Sequence, residues 1–89
     1  LGECARVIPA GEETFLMVKN LEDGDKAVGL FNQGETETTV TARWSDLGVK
    51  GRQPVRDLWR QKNLGRFRNA FAARVPARGC VLVRLDCGR

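Results

Sequence analysis

The sequence predicts an all-β fold, an antiparallel sandwich or barrel of about seven strands, and three observations predict it. Short apolar runs recur along the chain, each bounded by Gly, Asn, Asp or Pro. Two segments, 36–44 and 66–75, alternate side chains with a period of two, the signature of half-buried strands. No stretch of useful length carries a helical period. With 89 residues and 42% hydrophobic content, the chain suffices for one core and not for two. It has no repeat, linker or low-complexity tract, so residues 1–89 read as a single domain.

The elements follow in order. Cys4 to Ile8 is a first strand, closed by Pro9-Ala10-Gly11. Thr14 to Asn20 is the second and Lys26 to Asn32 the third, joined as a hairpin across Glu22-Asp23-Gly24-Asp25. Asp side chains bond nearby amides and Gly takes positive φ cheaply, which makes that tetrapeptide a strong turn signal. In 36–44, Thr36, Thr38, Val40, Ala42 and Trp44 share one face. Ser45-Asp46-Leu47-Gly48 suits one helical turn, with Ser45 as cap and Gly48 as stop. Pro54 to Trp59 places Val55, Asp57 and Trp59 on one side. Arg66 to Val75 places Phe67, Asn69, Phe71, Ala73 and Val75 on another, against Arg66, Arg68 and Arg74. Pro76-Ala77-Arg78-Gly79 turns the chain into a last strand, Cys80 to Asp86.

Runs at 15–18, 27–31 and 80–83 are apolar on both faces. Such strands are central in a sheet or are covered by something outside the domain. The aromatic residues fall in phase with core positions, because large aromatics dominate burial in small domains. Trp44, Asp57, Trp59, Phe31 and Phe71 are the candidate core or interdomain-contact residues. The competing reading of Trp44 and Trp59 is an exposed platform for sugar rings.

The net charge of +4 conceals a division. Residues 1–40 hold three basic and eight acidic residues, net −5; residues 41–89 hold twelve basic and three acidic, net +9. Eleven of the fifteen basic residues are Arg, scattered in sequence. Scattered charge reads as a solvated face rather than as a nucleic-acid surface. No run reaches the roughly 20 apolar residues of a membrane span. Neither nucleic acid nor membrane is therefore expected as a partner.

The chemistry available is narrow. With no His and no Tyr, there is no imidazole base, no Ser/His triad and no phenolic acid or nucleophile. The cysteines lack C-x-x-C spacing, and the glycines sit in turns rather than in a phosphate-binding loop, so no metal or cofactor is expected. Asp46 and Asp57 are the nearest thing to a glycosidase pair. Asp46 falls in a turn and Asp57 beside Arg56, which suits structural bonding, so no catalytic residue is assigned. Three cysteines, Cys4, Cys80 and Cys87, leave at least one without a partner in this chain. Cys80 and Cys87 cannot bridge along one straight strand. Cys4 can reach either only if the first and last strands are neighbours; three buried or half-buried thiols is the alternative.

Four blocks together resemble a known family. They are Leu21-Glu22-Asp23-Gly24-Asp25 with Lys26-Ala27-Val28-Gly29-Leu30-Phe31-Asn32; Trp44-Ser45-Asp46-Leu47-Gly48; Val55-Arg56-Asp57-Leu58-Trp59 with Lys62-Asn63-Leu64-Gly65; and Val75-Pro76 through Gly79 to Val81-Leu82-Val83-Arg84-Leu85. In order and spacing they resemble the C-terminal domain of family-27 α-galactosidases (melibiases), over about residues 14–86. The resemblance implies an antiparallel β-sandwich of seven to eight strands with a Greek-key element, packed beside a (β/α)8 catalytic barrel. It implies a non-catalytic accessory domain, and a parent glycosidase whose two aspartates lie outside these residues. Carbohydrate substrate would then be met only through the parent, and homo-oligomer contacts are open to the domain. A secreted or lysosomal/vacuolar setting is the expectation. The family usually has Ala where Gly29 stands, and a glycine within a strand signals close backbone approach or a bulge. Without an initiator Met, the chain is expected to be a segment of a longer one. The reading set against this one is a small carbohydrate- or nucleic-acid-binding β module.

Overall fold

The computed structural model describes residues 5–21 and 24–86. Eight strands and one helical turn follow in order: β1 (Arg6–Pro9), β2 (Thr14–Asn20), β3 (Lys26–Asn32), β4 (Thr38–Arg43), α1 (Trp44–Leu47), β5 (Arg52–Asp57), β6 (Lys62–Arg68), β7 (Ala70–Val75) and β8 (Cys80–Leu85). All pairings are antiparallel. Six strands form one sheet in the order β1-β2-β3-β8-β5-β6, and β4 pairs with β7 in a second. The result is a β-sandwich. The return of β8 to lie beside β5 is its Greek-key element.

The two layers meet through alternate positions. Leu16, Val18, Val28, Leu30, Val55, Val83 and Leu85 line the inner face of the large sheet. Val40, Ala42, Phe71 and Val75 close over them from the small sheet, with Trp44 and Leu47 from α1. The small sheet is only two strands wide, so α1 extends the cover. Gly48 ends the turn in the left-handed conformation at φ 74°. Arg43, not Ser45, occupies the N-cap, and no side chain caps the turn. The cap thus falls two residues earlier than the Ser45 signal suggests, and the turn it opens carries Trp44 and Leu47 into the core.

Two further expectations are corrected. The segment 66–75 is not one strand. Asn69 adopts φ 72°, breaking it into β6 in the large sheet and β7 in the small one. Asn tolerates this conformation better than other residues with a side chain, so the chain changes layers there. Likewise β5 ends at Asp57, and Leu58 to Gln61 form a turn, with Gln61 at φ 51°. Trp59 is therefore not on a strand. Of the β2–β3 connection, Glu22 and Asp23 lie outside the described residues, as do Cys4 and Cys87. Strands β1 and β8 are not neighbours in the sheet, being separated by β2 and β3.

Asn32 holds the crossover between layers. Its Nδ2 donates to the carbonyls of Thr36 (2.9 Å), Val75 (3.1 Å) and Pro76 (3.2 Å), and its Oδ1 accepts the Gly34 N–H at 2.8 Å. One buried amide thus joins the end of β3 to the β7–β8 turn. Asn32→Ala would leave those carbonyls and the Gly34 amide short of partners. It should destabilise the domain by about 2–4 kcal/mol, read from chemical denaturation midpoints.

Gly29 has a local reason too. A Cβ there would lie 2.5 Å from Phe31 Cε1, because the Phe31 ring folds back over the glycine. That pose stacks Phe31 on Phe15, with centroids 4.9 Å apart and planes 3° from parallel. Gly29→Ala should displace the ring and cost about 0.5–1.5 kcal/mol, the worth of such a stack. A Phe15→Leu background, which removes the stack beforehand, should shrink that cost; an undiminished cost would refute the account.

Candidate docking face

The outer face of the large sheet follows from the pairing register. Val7, Met17, Gly29 and Leu82 form one row across β1, β2, β3 and β8. Pro9, Phe15, Phe31 and Cys80 form the next. At about 4.8 Å per strand, these rows make an apolar patch about 14 Å across. Val7 is 60% exposed and Leu82 36%, while Phe15, Met17 and Phe31 are half-buried. The two-sided apolar runs seen in the sequence are these central strands. One face of each is used by the core and the other is left to solvent.

The β5–β6 turn lies at the edge of this patch. The Leu58 amide bonds the Leu82 carbonyl at 3.1 Å, which brings the turn alongside the outward leucine. Asp57 Oδ1 accepts the amides of Trp59 (2.9 Å) and Arg60 (3.0 Å). Arg56 spans the hairpin, its Nη2 donating to the Gln61 carbonyl and its Nη1 to Asn63 Oδ1, each at 3.0 Å. Trp59 is thus a 75% exposed indole on a backbone held from both sides. An exposed tryptophan on a pre-ordered turn suits an interface anchor, since less backbone ordering entropy remains to be lost on binding.

The other candidate residues separate clearly. Trp44 and Phe71 are in the core. The Trp44 indole Nε1 donates to the Phe67 carbonyl at 3.0 Å, and Phe67 meets Phe71 edge to face. A sugar platform built on both tryptophans is therefore corrected: one indole is sealed between the layers and the other is on the surface. Phe31 lies on the outer face, and Asp57 builds the Trp59 turn. Asp46 sits on α1, just before β5 begins, and Asp57 ends that strand. Asp57 Oδ1 is taken up by the Trp59 and Arg60 amides, a structural use of that carboxylate.

Asp25 is buried and bound by Arg84 through both Nε (2.9 Å) and Nη2 (2.8 Å), tying the β2–β3 connection to β8. Among the described residues, no cluster of three or more His, Cys, Asp or Glu side chains is placed to hold a metal ion. The sequence reading did not single out Val7, Phe15, Met17 or Leu82 as contact residues. The available signal was the apolar character of both faces of their strands.

Comparison with known proteins matches residues 12–85 to the alpha galactosidase C-terminal beta sandwich domain. The chain is 34% identical over 82 residues to an alpha-galactosidase of Cyamopsis tetragonoloba, covering 90% of this chain and 20% of that protein. It is 41% identical over 70 residues to an isomalto-dextranase of Arthrobacter globiformis, covering 76% of this chain and 11% of that one. The crystal structure of alpha-galactosidase I from Mortierella vinacea superposes with a TM-score of 0.86 at 33% identity, covering 92% of this chain and 23% of that structure. The chain thus spans less than a quarter of the length of each of these proteins. With residues 12–85 matched and the sandwich shared, the chain belongs to the alpha-galactosidase C-terminal β-sandwich family.

Proposed function

We propose that this domain is a non-catalytic accessory unit of a retaining, α-galactosidase-like glycosidase, and that it packs against and stabilises the catalytic barrel. The observation that carries this reading is the uncovered apolar face of strands β1, β2, β3 and β8, with Trp59 fixed at its edge. Each 100 Å² of such surface covered by a neighbour contributes about 2.5 kcal/mol before ordering costs. Trp44 and Phe71 serve the domain's own core. Phe31, Leu82 and Trp59 serve the contact with the barrel, and Asp57 acts by shaping the Trp59 turn. Carbohydrate substrate is then handled by the barrel.

In the full-length protein, Trp59→Ala and Leu82→Asp should each destabilise by about 1–3 kcal/mol. The effect is read as a fall in thermal midpoint, while kcat/KM for a small aryl glycoside at low temperature stays unchanged. Midpoints equal to the parent's would sink the docking role; a selective loss of kcat would mean that the domain takes part in chemistry. Residues 1–89 expressed alone should self-associate through the uncovered face, and Leu82→Asp should relieve this. Size-exclusion chromatography over a concentration series checks it.

A further inference from the structure

The outer face has a second half of different character. Strand pairing gathers arginines that the sequence scatters: Arg84 opposes Arg56, Arg66 opposes Pro54, and Arg52 opposes Arg68. Like charges placed directly opposite each other destabilise a sheet, so this ladder carries a folding cost. Arg74, Arg78 and Arg84 are taken up in ion pairs, and among the described residues no carboxylate lies within ion-pair distance of Arg52, Arg66 or Arg68. The ladder opens into a trough of about 520 Å³ lined by Pro54, Arg56, Asn63, Arg66 and Arg84. Asp25, already held by Arg84, and Asp86 also border it.

We propose that this β8-β5-β6 end of the face binds an anionic polysaccharide, a sugar polymer bearing carboxylate or sulfate groups. Guanidinium groups suit such anions because their planar forks donate to two oxygens at once. An open ladder running into a trough fits an extended chain better than a compact ligand. Sheet twist of about 20–25° per strand turns β6 by about 60–75° from β3, so a surface seated on the apolar half leaves the arginines accessible. Single-stranded nucleic acid is less well matched, because its binding faces interleave aromatics with the positive charge. Here Phe67, between Arg66 and Arg68, packs inward on Phe71. The choice of a sugar polymer rests on the glycosidase reading above.

The test uses the full-length protein on immobilised dextran sulfate, with titration by polygalacturonate at low salt. The triple variant Arg52→Gln/Arg66→Gln/Arg68→Gln should bind at least tenfold more weakly and elute at lower salt, and Arg66→Gln alone should show an intermediate loss. A triple variant with equal charge loss elsewhere, Arg6→Gln/Arg74→Gln/Arg78→Gln, should bind like the parent. Equal loss in both triples, or loss in neither, overturns the proposal. So does tighter binding of single-stranded DNA that the ladder substitutions abolish, which would make this a nucleic-acid surface. Trp59→Ala, which changes no charge, should leave elution unchanged, which keeps failure here distinct from failure of barrel docking. Unchanged hydrolysis of a small aryl glycoside confirms that each variant is folded.

Discussion

The pairing of β3 with β8 is the constraint on which the rest of the structure depends. It joins residues 26–31 to 80–85, placing β3 between β2 and β8 with hydrogen bonds on both edges. Because side chains alternate along a strand, the same register puts Val28, Leu30 and Val83 inside and Gly29, Phe31 and Leu82 outside. A one-residue slip would exchange the two sets. The core and the outer face are thus two consequences of one pairing, and Asn32 secures the point where β3 leaves that pairing for the second layer.

An asymmetric sandwich follows. Six strands in one layer and two in the other give the large sheet a full inner core, while its outer face has no layer of its own. Inward-facing valines and leucines account for stability. Beyond the Phe15–Phe31 stack, outward-facing Met17 and Leu82 gain the rest of their transfer energy only once water is removed from this face. A residue set that is costly to leave wet, beside an exposed indole on a turn whose backbone Asp57 and Arg56 hold, suits a surface covered by a neighbour.

Charge divides that surface in turn. The β5–β6 hairpin and the later β8 bring their arginines together towards the β6 edge, whereas Glu37 and Glu35 are matched to Arg74 and Arg78 elsewhere on the domain. Charged edge strands also deter edge-to-edge pairing between molecules. That protective role requires charge of either sign, not a run of arginines on one side of the strand. The apolar and cationic halves therefore suit two different neighbours, one flat and dry, the other extended and anionic.

The sequence by itself determined the all-β class, the β2–β3 hairpin, the inward phase of Trp44, Phe71 and Val75, and the family. Period-two alternation, turn residues and ordered motif blocks are local or linear properties, so they can be read without coordinates. It also showed that three runs were apolar on both sides. Only the tertiary structure decided where those second sides point, that 66–75 splits at Asn69 between layers, and that Trp59 leaves its strand for an exposed turn. These depend on which strands become neighbours and on backbone dihedrals at single residues. Strand periodicity fixes alternation but not partner choice, and partner choice is what turned scattered arginines into a ladder and outward hydrophobes into a patch.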